Sequence, residues 1–468
     1  MPAVKFDGSL PVIQYSLNQL LSGDIEQALA IRDILYDKIS QEFNWRNCWY
    51  PIIFVRDLPQ KRPYGFSLYD EPLVLFRDAH GKFGCLQDIC PHRTAKLSQG
   101  QVVDGKLECL YHGWQFSANG KCVHIPQLSA GSKIPHNACV KSFSVTEKQG
   151  IVWMWPGNAQ AADEKMIPVL AELDDPKFIK TDYLLDLPYD QSYFIENVID
   201  PAHFPINHHG KRFKREDAQA LEMEVIDVSS QGIRGRYRNQ QTNEPWIVLE
   251  FIAPNLVRYA VWKEQGLFAG AELYSIPTGK GKCKILLRNY NSVLPWVKKL
   301  QPVWIEHCFR HIILEGDAEL IREQQMQIER LGKSMKELFL PLKTSDVLVI
   351  EYRKWLDKYG TDLPFYQGYA TSNLNGILQS LDIGDRFTRH TQICNSCNRA
   401  HQISNRVKHS LVVTAIILAA IAMITENYQA RVFVVTLFIL SLTIAFAAHK
   451  VKILLERNYV RQYITTEK

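Results

Sequence analysis

Two short stretches of the sequence, CPH and CLYH, carry residue types that bind metals. Cys90 and His92 lie in the first stretch, and Cys109 and His112 lie in the second. Thiolates and imidazoles together can hold a structural zinc ion or an iron–sulfur cluster. Structural zinc sites commonly separate paired ligands by about two to four residues. Each pair here mixes a thiolate with an imidazole, and only Pro91 separates the first two ligands, so the spacing favours iron over zinc.

This mixture of ligands is typical of a Rieske-type [2Fe-2S] cluster. Two thiolates hold one iron and two imidazoles hold the other, which raises the reduction potential above that of an all-cysteine cluster. The stretch resembles the Rieske domain of ring-hydroxylating oxygenases over about residues 45–157. Respiratory Rieske proteins carry an extra cysteine in each loop, whereas Ala95 and Tyr111 occupy those positions here. We therefore expect the two cysteines and two histidines to bind the cluster of an oxygenase.

A second candidate metal site lies in the stretch ENVIDPAHFPINH. A non-haem Fe(II) oxygenase needs two histidines and one carboxylate on one face, which leaves positions open for O2 and substrate. The spacing of Asp200, His203 and His208 resembles the iron motif of Rieske oxygenases. The resemblance makes both histidines metal ligands and makes Asp200 a carboxylate behind them that links the site to a cluster histidine. Asn197 would line the open side. The alternative is a set of surface histidines on a helix.

The third ligand of this iron must be a carboxylate from elsewhere in the chain. A charged segment from about Leu300 to Leu331 predicts one long helix, which offers three acidic residues. In the family that the motif resembles, the ligand is an aspartate followed by a polar stretch that ends in glutamine. LEGDAELIREQQ fits this pattern with Asp317 as the ligand. We expect Glu315 and Glu319 to lie on a solvated face.

Two further groups could bind metal or take part in redox chemistry. His307 and His311 have i, i+4 spacing, but no third partner is evident, so we expect them to be core or surface histidines. Cys394 and Cys397 form a CxxC motif with three interpretations: half of a zinc site, a redox-regulatory pair that thioredoxin reduces, or two ordinary cysteines. The sequence has no second CxxC to complete a four-cysteine zinc site.

The elements that must position these residues change in character along the chain. Short apolar runs between turns predict an all-β unit up to about Gly157, and β-like runs followed by the long helix predict an α+β unit. Two charge-free segments, 411–425 and 432–448, then predict a transmembrane hairpin, with buried core helices as the alternative. Flanking Arg and Lys residues place both ends of the hairpin on the cytoplasmic side.

The predicted fold class is α+β: a small all-β Rieske domain, an antiparallel sheet with a long C-terminal helix of the helix-grip type, and a two-helix transmembrane hairpin. The net charge of +5 is mild and gives no case for nucleic acid binding, and ten cysteines in 468 residues do not make a disulfide framework. The predicted boundaries are an N-terminal helical arm at 1–44, the Rieske domain at 45–157, the mononuclear iron domain at 158–365, a linker with the CxxC at 366–408, two transmembrane helices at 409–449 and a cytoplasmic tail at 450–468.

Longer stretches carry a closer resemblance. DICPHRTAKLSQGQVVDGKLECLYHGWQF, EYRKWLDKYG and DRFTRHTQICNSCNRA resemble the pheophorbide a oxygenase-like branch of the Rieske non-haem iron oxygenases, with the chloroplast translocon-associated Rieske proteins. The resemblance implies a membrane-bound mono- or dioxygenase that takes electrons from a ferredoxin-like donor and oxygenates a tetrapyrrole with O2. It also implies a homotrimer, in which the cluster of one subunit faces the iron of the next.

The N-terminus lacks the features of a transit peptide, which suggests a photosynthetic prokaryote and its plasma or thylakoid membrane. Two other functions stay open at this stage. One is a Rieske electron-transfer or redox-sensing component of a membrane complex, which would need the cluster but no second iron. The other is a structural translocon component, in which both metals would be relics.

Overall fold

The computed structural model describes residues 43–460, except for residues 61, 212, 241–244, 264–265, 293–299 and 372–383. The N-terminal helical arm predicted at residues 1–44 lies almost entirely outside the described residues, as does the end of the tail.

The first part of the described chain is antiparallel β structure. Its larger sheet has the strand order β1-β10-β9-β4-β3-β2, and a smaller sheet has the order β5-β6-β7-β8. Strands β1 and β10 are apolar runs, YPIIF and IVWMW, that are buried along their whole length, as expected for strands covered on both faces. The bounds are β1 Tyr50–Phe54, β2 Tyr64–Leu68, β3 Glu71–Arg77, β4 Phe83–Gln87, β5 Gln101–Val103, β6 Lys106–Glu108, β7 Gln115–Phe116, β8 Cys122–His124, β9 Ser142–Lys148 and β10 Ile151–Trp155.

The second part is a seven-stranded antiparallel sheet in the order β11-β17-β16-β15-β14-β13-β12. Two short helices, α1 and α2, follow its first strand along the chain. The long helix α3 and the shorter helices α4 and α5 follow its last strand. Its strands are β11 Ile179–Leu187, β12 Leu221–Ser229, β13 Gly232–Asn239, β14 Ile247–Ile252, β15 Leu256–Lys263, β16 Gly266–Gly279 and β17 Lys282–Asn291, and its helices are α1 Gln191–Ile199, α2 Phe204–Asn207, α3 Val303–Leu331, α4 Met335–Leu338 and α5 Val347–Tyr359.

Helix α3 confirms the predicted long helix, and its buried face is unusual. The helix ends at Gly332, which adopts the left-handed conformation (φ 63°) that favours glycine at this position. Most buried positions along α3 recur every three or four residues and form one stripe toward the body of the protein, and at residues 315–318 burial extends around the helix. The stripe holds polar side chains where a purely structural helix would hold apolar ones: His307, His311, Glu315, Asp317, Gln325 and Glu329.

Two long apolar helices end the described chain: α6 Asn395–Ile424 and α7 Tyr428–Glu456. Their most apolar windows are only 6% and 11% buried, which argues against the alternative of core helices and leaves two helices able to cross a membrane. Helix α6 starts well before the apolar segment, so residues 395–408, which the sequence predicted as linker, are helical. A helix of this length extends about 45 Å, longer than a bilayer core needs.

Candidate metal centres

The two loops predicted to hold the cluster share one backbone design. One loop joins β4 to β5 and the other joins β6 to β7. In each, the cysteine N–H donates to the carbonyl five residues later, at 2.8 Å for Cys90 and 2.9 Å for Cys109. The cysteine carbonyl accepts from the N–H four residues later, and that residue, Thr94 or Gly113, has a positive φ of 58° or 74°. Two equivalent tight turns therefore present one thiol and one imidazole each.

The thiols of these loops lie inside and the imidazoles lie toward the surface. Cys90 and Cys109 are 2% and 1% exposed, whereas His92 is exposed and His112 is half-buried. The two imidazole rings lie 4.4 Å apart, and Trp114 stacks on His92 at 4.7 Å. Desolvation, helped by neighbouring positive groups, lowers the pKa of His112 and favours the neutral imidazole that metals bind. A two-iron cluster with its imidazole-bound iron toward the surface fits this arrangement.

The structure brings together the three residues predicted to bind the second iron. His208 Nε2 lies 3.5 Å from Asp317 Oδ2, and His203 Nε2 lies 3.9 Å from the same oxygen. One ligand atom from each residue falls within 4.8 Å of the others. His203 and His208 flank the short helix α2, and Asp317 lies on the buried stripe of α3. Two nitrogens and one oxygen on one side of a space match the donor set of a non-haem Fe(II) site.

The polar atoms around this group fit a bound cation. His203 Nε2, the ring nitrogen on the side of Asp317, is buried and has no hydrogen-bond partner among the described residues. Burial acts to lower the pKa of His203, but Asp200 and Asp317 outweigh it and raise that pKa, so the site favours positive charge. The side-chain amide of Asn207 donates to Asp317 Oδ1. The sequence analysis did not identify Asn207, although it lies in α2 between the two histidines.

Asp200 lies behind the histidines rather than among them. Its Oδ2 is 3.5 Å from His203 Nδ1, the ring nitrogen on the opposite edge from the one nearest Asp317. Asp200 also accepts a 2.8 Å hydrogen bond from the N–H of Ala202, which fixes the carboxylate. Asp200 and Asn197 line a cleft of about 300 Å³ between α1, α3 and α5.

Glu315 corrects one expectation for α3. It was predicted to be solvated, but it is 7% exposed and forms a two-point ion pair with Arg386 at 2.8 and 2.7 Å. The C-terminal segment folds back over this part of α3, a contact that helix periodicity cannot reveal. Glu319 is exposed, as predicted. His311 is a core histidine whose Nδ1 hydrogen-bonds to the hydroxyl of Tyr183 at 2.7 Å.

The CxxC cysteines are buried and have histidine neighbours. Cys394 and Cys397 are 1% and 0% exposed, and neither forms a disulfide. His307 of α3 and His390 complete a second group in which the ligand atoms lie within 4.8 Å of one another. The sequence analysis missed this group because its members are far apart in the chain. The redox-regulatory role of the two cysteines stays a prediction, and their burial gives thioredoxin no direct approach to them.

Comparison with known proteins places these features in a family. The model of the Rieske [2Fe-2S] domain matches residues 48–144, and that of pheophorbide a oxygenase matches residues 251–335. "Protein TIC 55, chloroplastic" from Pisum sativum is 36% identical over 84% of this chain and 77% of its own length. "Pheophorbide a oxygenase, chloroplastic" from Arabidopsis thaliana is 30% identical over 91% of this chain and 85% of its own length.

A solved structure supports the fold. Dicamba monooxygenase bound to dicamba is 23% identical and has a TM-score of 0.57, over 68% of this chain and 97% of that chain. The fold and the cluster-binding domain define a Rieske non-haem iron oxygenase. Within that class, the chain belongs to the family that includes pheophorbide a oxygenase and TIC 55. The predicted [2Fe-2S] cluster is confirmed by the Rieske domain, and relatives of this class use a mononuclear iron at the catalytic site.

Proposed function

We propose that this chain is a membrane-bound oxygenase that acts on a lipophilic tetrapyrrole of the pheophorbide or chlorophyllide class, with O2 and electrons from a ferredoxin-like donor. The observation that carries the proposal is the convergence of His203, His208 and Asp317 in a chain that also has a Rieske domain. An electron carrier would need the cluster alone. The names of the relatives, pheophorbide a oxygenase and chlorophyllide a oxygenase, support the substrate class.

In this proposal Cys90, His92, Cys109 and His112 hold the cluster, and the two histidines with Asp317 hold a single iron. Bound there, Fe(II) supplies the activation of O2. The other residues keep the ligands in place. Asn207 donates to one oxygen of Asp317, which leaves the other oxygen facing the histidines. Phe204 and Phe213 stack at 5.3 Å beside His208 and give the site an apolar wall.

Asp200 is a positioning residue in this account. Its carboxylate lies at His203 Nδ1 and directs the opposite ring nitrogen toward Asp317. Asp200 also lines the cleft between α1, α3 and α5, together with Asn197. We propose that the imidazole side of a second subunit's cluster approaches here, in a homotrimer. An exposed His92 beside the exposed Leu110 and Tyr111 supports such a contact.

The C-terminal helices would bring the oxygenase to a membrane that holds lipophilic substrates. Arg406 and Lys408 precede the first apolar segment, and Lys450 and Lys452 follow the second. By the positive-inside rule we propose that both ends, and the catalytic body with them, lie on the cytoplasmic side. A plasma or thylakoid membrane of a photosynthetic prokaryote is the location we propose. We also propose that the Rieske domain ends near residue 157 and that the mononuclear iron domain ends near residue 365.

Rapid mixing tests the proposed function. The purified protein is reduced anaerobically, incubated with pheophorbide a or chlorophyllide a, and mixed with O2 while the oxidation of the cluster is followed by absorbance. We expect the correct tetrapyrrole to accelerate cluster oxidation, because an oxygenase draws the electron from its cluster only during substrate turnover. Equal oxidation rates with and without every tetrapyrrole tested would favour the electron-transfer component.

Replacing Asp200 by Asn should slow electron transfer but spare both metals. The change keeps all three iron ligands and removes the charge behind His203, and losses of such supporting carboxylates cost about 10- to 100-fold in activity. The measurement is the rate of cluster oxidation with substrate and O2, together with the iron content. Asp346→Asn is the matched control, because Asp346 lines the same cleft without contacting the histidines. Equal rates in both variants would show that Asp200 has no specific role in electron transfer from the cluster.

Replacing the two apolar segments should release a soluble protein. Residues 452–460 must stay, because Leu455 is fully buried and the N–H of Tyr459 donates to Glu315 at 2.6 Å. We therefore propose joining residues 410 and 449 by a flexible linker. The product should need no detergent and keep about three irons per chain, from one cluster and one single site. Aggregation with loss of the cluster would show instead that the two segments are part of the core.

A further inference from the structure

The buried group at the start of α6 consists of two thiols and two imidazoles. Cys394 and Cys397 come from the N-terminal end of α6, His390 from the turn before it, and His307 from α3. All four residues are at most 1% exposed. His307 Nδ1 lies 3.5 Å from Cys394 Sγ and 3.4 Å from Cys397 Sγ, and His390 Nε2 lies 3.2 Å from Cys397 Sγ. The two ring nitrogens are 3.2 Å apart.

Backbone carbonyls of β11 fix which ring nitrogens face the sulfurs. His307 Nε2 lies 2.9 Å from the carbonyl of Asp182, and His390 Nδ1 hydrogen-bonds to the carbonyl of Leu184. A carbonyl only accepts, so each of these nitrogens carries the proton of a neutral imidazole. His307 Nδ1 and His390 Nε2 then have lone pairs that point into the same space as the thiols. Metal-bound histidines are commonly held by this second hydrogen bond.

The distances match the edges of one coordination tetrahedron. With zinc–nitrogen bonds of about 2.05 Å and zinc–sulfur bonds of about 2.3 Å, ideal tetrahedral geometry separates two nitrogens by about 3.3 Å and a nitrogen from a sulfur by about 3.6 Å. The observed separations are 3.2 Å and 3.2–3.5 Å. His307 Nδ1 is almost equidistant from both sulfurs, which a simple S–H···N hydrogen bond to one thiol would not require.

We propose that Cys394, Cys397, His307 and His390 form a structural Cys2His2 zinc site. Tetrahedral S2N2 ligation suits Zn²⁺, and four protein ligands leave no open position for catalysis. Binding replaces the two thiol protons, which leave to solvent, and makes the dithiolate–Zn²⁺ unit neutral, so it can lie in a buried site. The site ties α6 to β11 and α3, and thus fixes the base of the membrane hairpin to the sheet. It does not depend on the proposed oxygenase activity.

Metal analysis of the full-length protein in detergent tests the site. Zinc-replete growth should give about one zinc per chain in addition to iron, and zinc-edge X-ray absorption should show two sulfur and two nitrogen ligands. Cys394→Ser with Cys397→Ser should lower the zinc content at least about tenfold. The matched control is Cys90→Ser with Cys109→Ser, which removes the other thiol pair and should leave the zinc in place. This control also excludes zinc misplaced in the cluster loops.

A second measurement does not rely on the Cys394 and Cys397 variant, so it holds even where that variant fails to fold. Cobalt-replete growth of the parent protein should give the visible absorption bands of a tetrahedral cobalt–thiolate centre, and the cluster-loop variant should retain them. A parent protein without zinc and without these cobalt bands would overturn the proposal. A Cys394–Cys397 disulfide, found by mass spectrometry and reducible by thioredoxin, would also overturn it and establish the redox-regulatory pair.

Discussion

We expect Asp317→Ala to abolish oxygenated product while the Rieske cluster still forms and still accepts an electron. The change removes the carboxylate from the group of His203, His208 and Asp317, and two imidazoles alone hold Fe(II) poorly. Iron should fall from about three to about two per chain, because only the single site is lost. Product by mass spectrometry, iron content and the electron paramagnetic resonance signal of the reduced cluster measure the three effects.

Glu319→Ala is the matched control for this experiment. Glu319 lies two residues further along the same helix and is exposed, so its loss should change neither iron nor product. Glu315 is unsuitable as a control because it is buried in an ion pair with Arg386. Asp317→Ala with parental iron content and parental product would show that Asp317 is no ligand, and the carboxylate would then have to be sought elsewhere on α3.

The second large effect is expected for Cys109→Ser. The thiol of Cys109 is buried beside that of Cys90, and a Rieske cluster needs both thiolates on one iron. The variant should lose the Rieske resonance signal and the cluster iron, leaving about one iron per chain at the single site. Oxygenation should stop, because the electron has no route to the catalytic site.

Cys139→Ser is the control, since this cysteine is exposed and lies in the same domain. It should keep the cluster signal and all of the iron. A parent protein that holds one zinc at Cys90, His92, Cys109 and His112, with no Rieske signal, would contradict the cluster assignment. This result is distinct from the proposed zinc site, because the iron should depend on Cys90 and Cys109 whereas the zinc should depend on Cys394 and Cys397.

Spacing in the sequence predicted the metal ligands that lie close together along the chain. The cluster ligands lie on two tight loops, and His203 and His208 flank one short helix, so their spacing carries the chemistry. Asp317 lies more than a hundred residues away on α3, and only the family pattern pointed to it. The fold class also followed from periodicity, since buried strands such as IVWMW and a long helix differ plainly in pattern.

Contacts between distant segments could not be predicted in this way. His307 and His390 meet at Cys397 only because the C-terminal segment packs against β11 and α3. The same packing buries Glu315, which the helix pattern placed in solvent. Residues 395–408, which were predicted as part of the linker because they are polar, belong to the helix that becomes α6. Helix propensity alone does not say where a polar helix meets the body of a protein.

The central claim, oxygenation of a tetrapyrrole, is tested most directly with ¹⁸O2. The full-length protein is supplied with reduced ferredoxin, pheophorbide a or chlorophyllide a, and isotopically labelled oxygen, and the products are weighed by mass spectrometry. We predict a product that contains one or two ¹⁸O atoms with the parent protein and with Glu319→Ala, and no such product with Asp317→Ala. A parent protein that forms no labelled product from any tetrapyrrole, yet passes electrons to a membrane partner, would contradict the account.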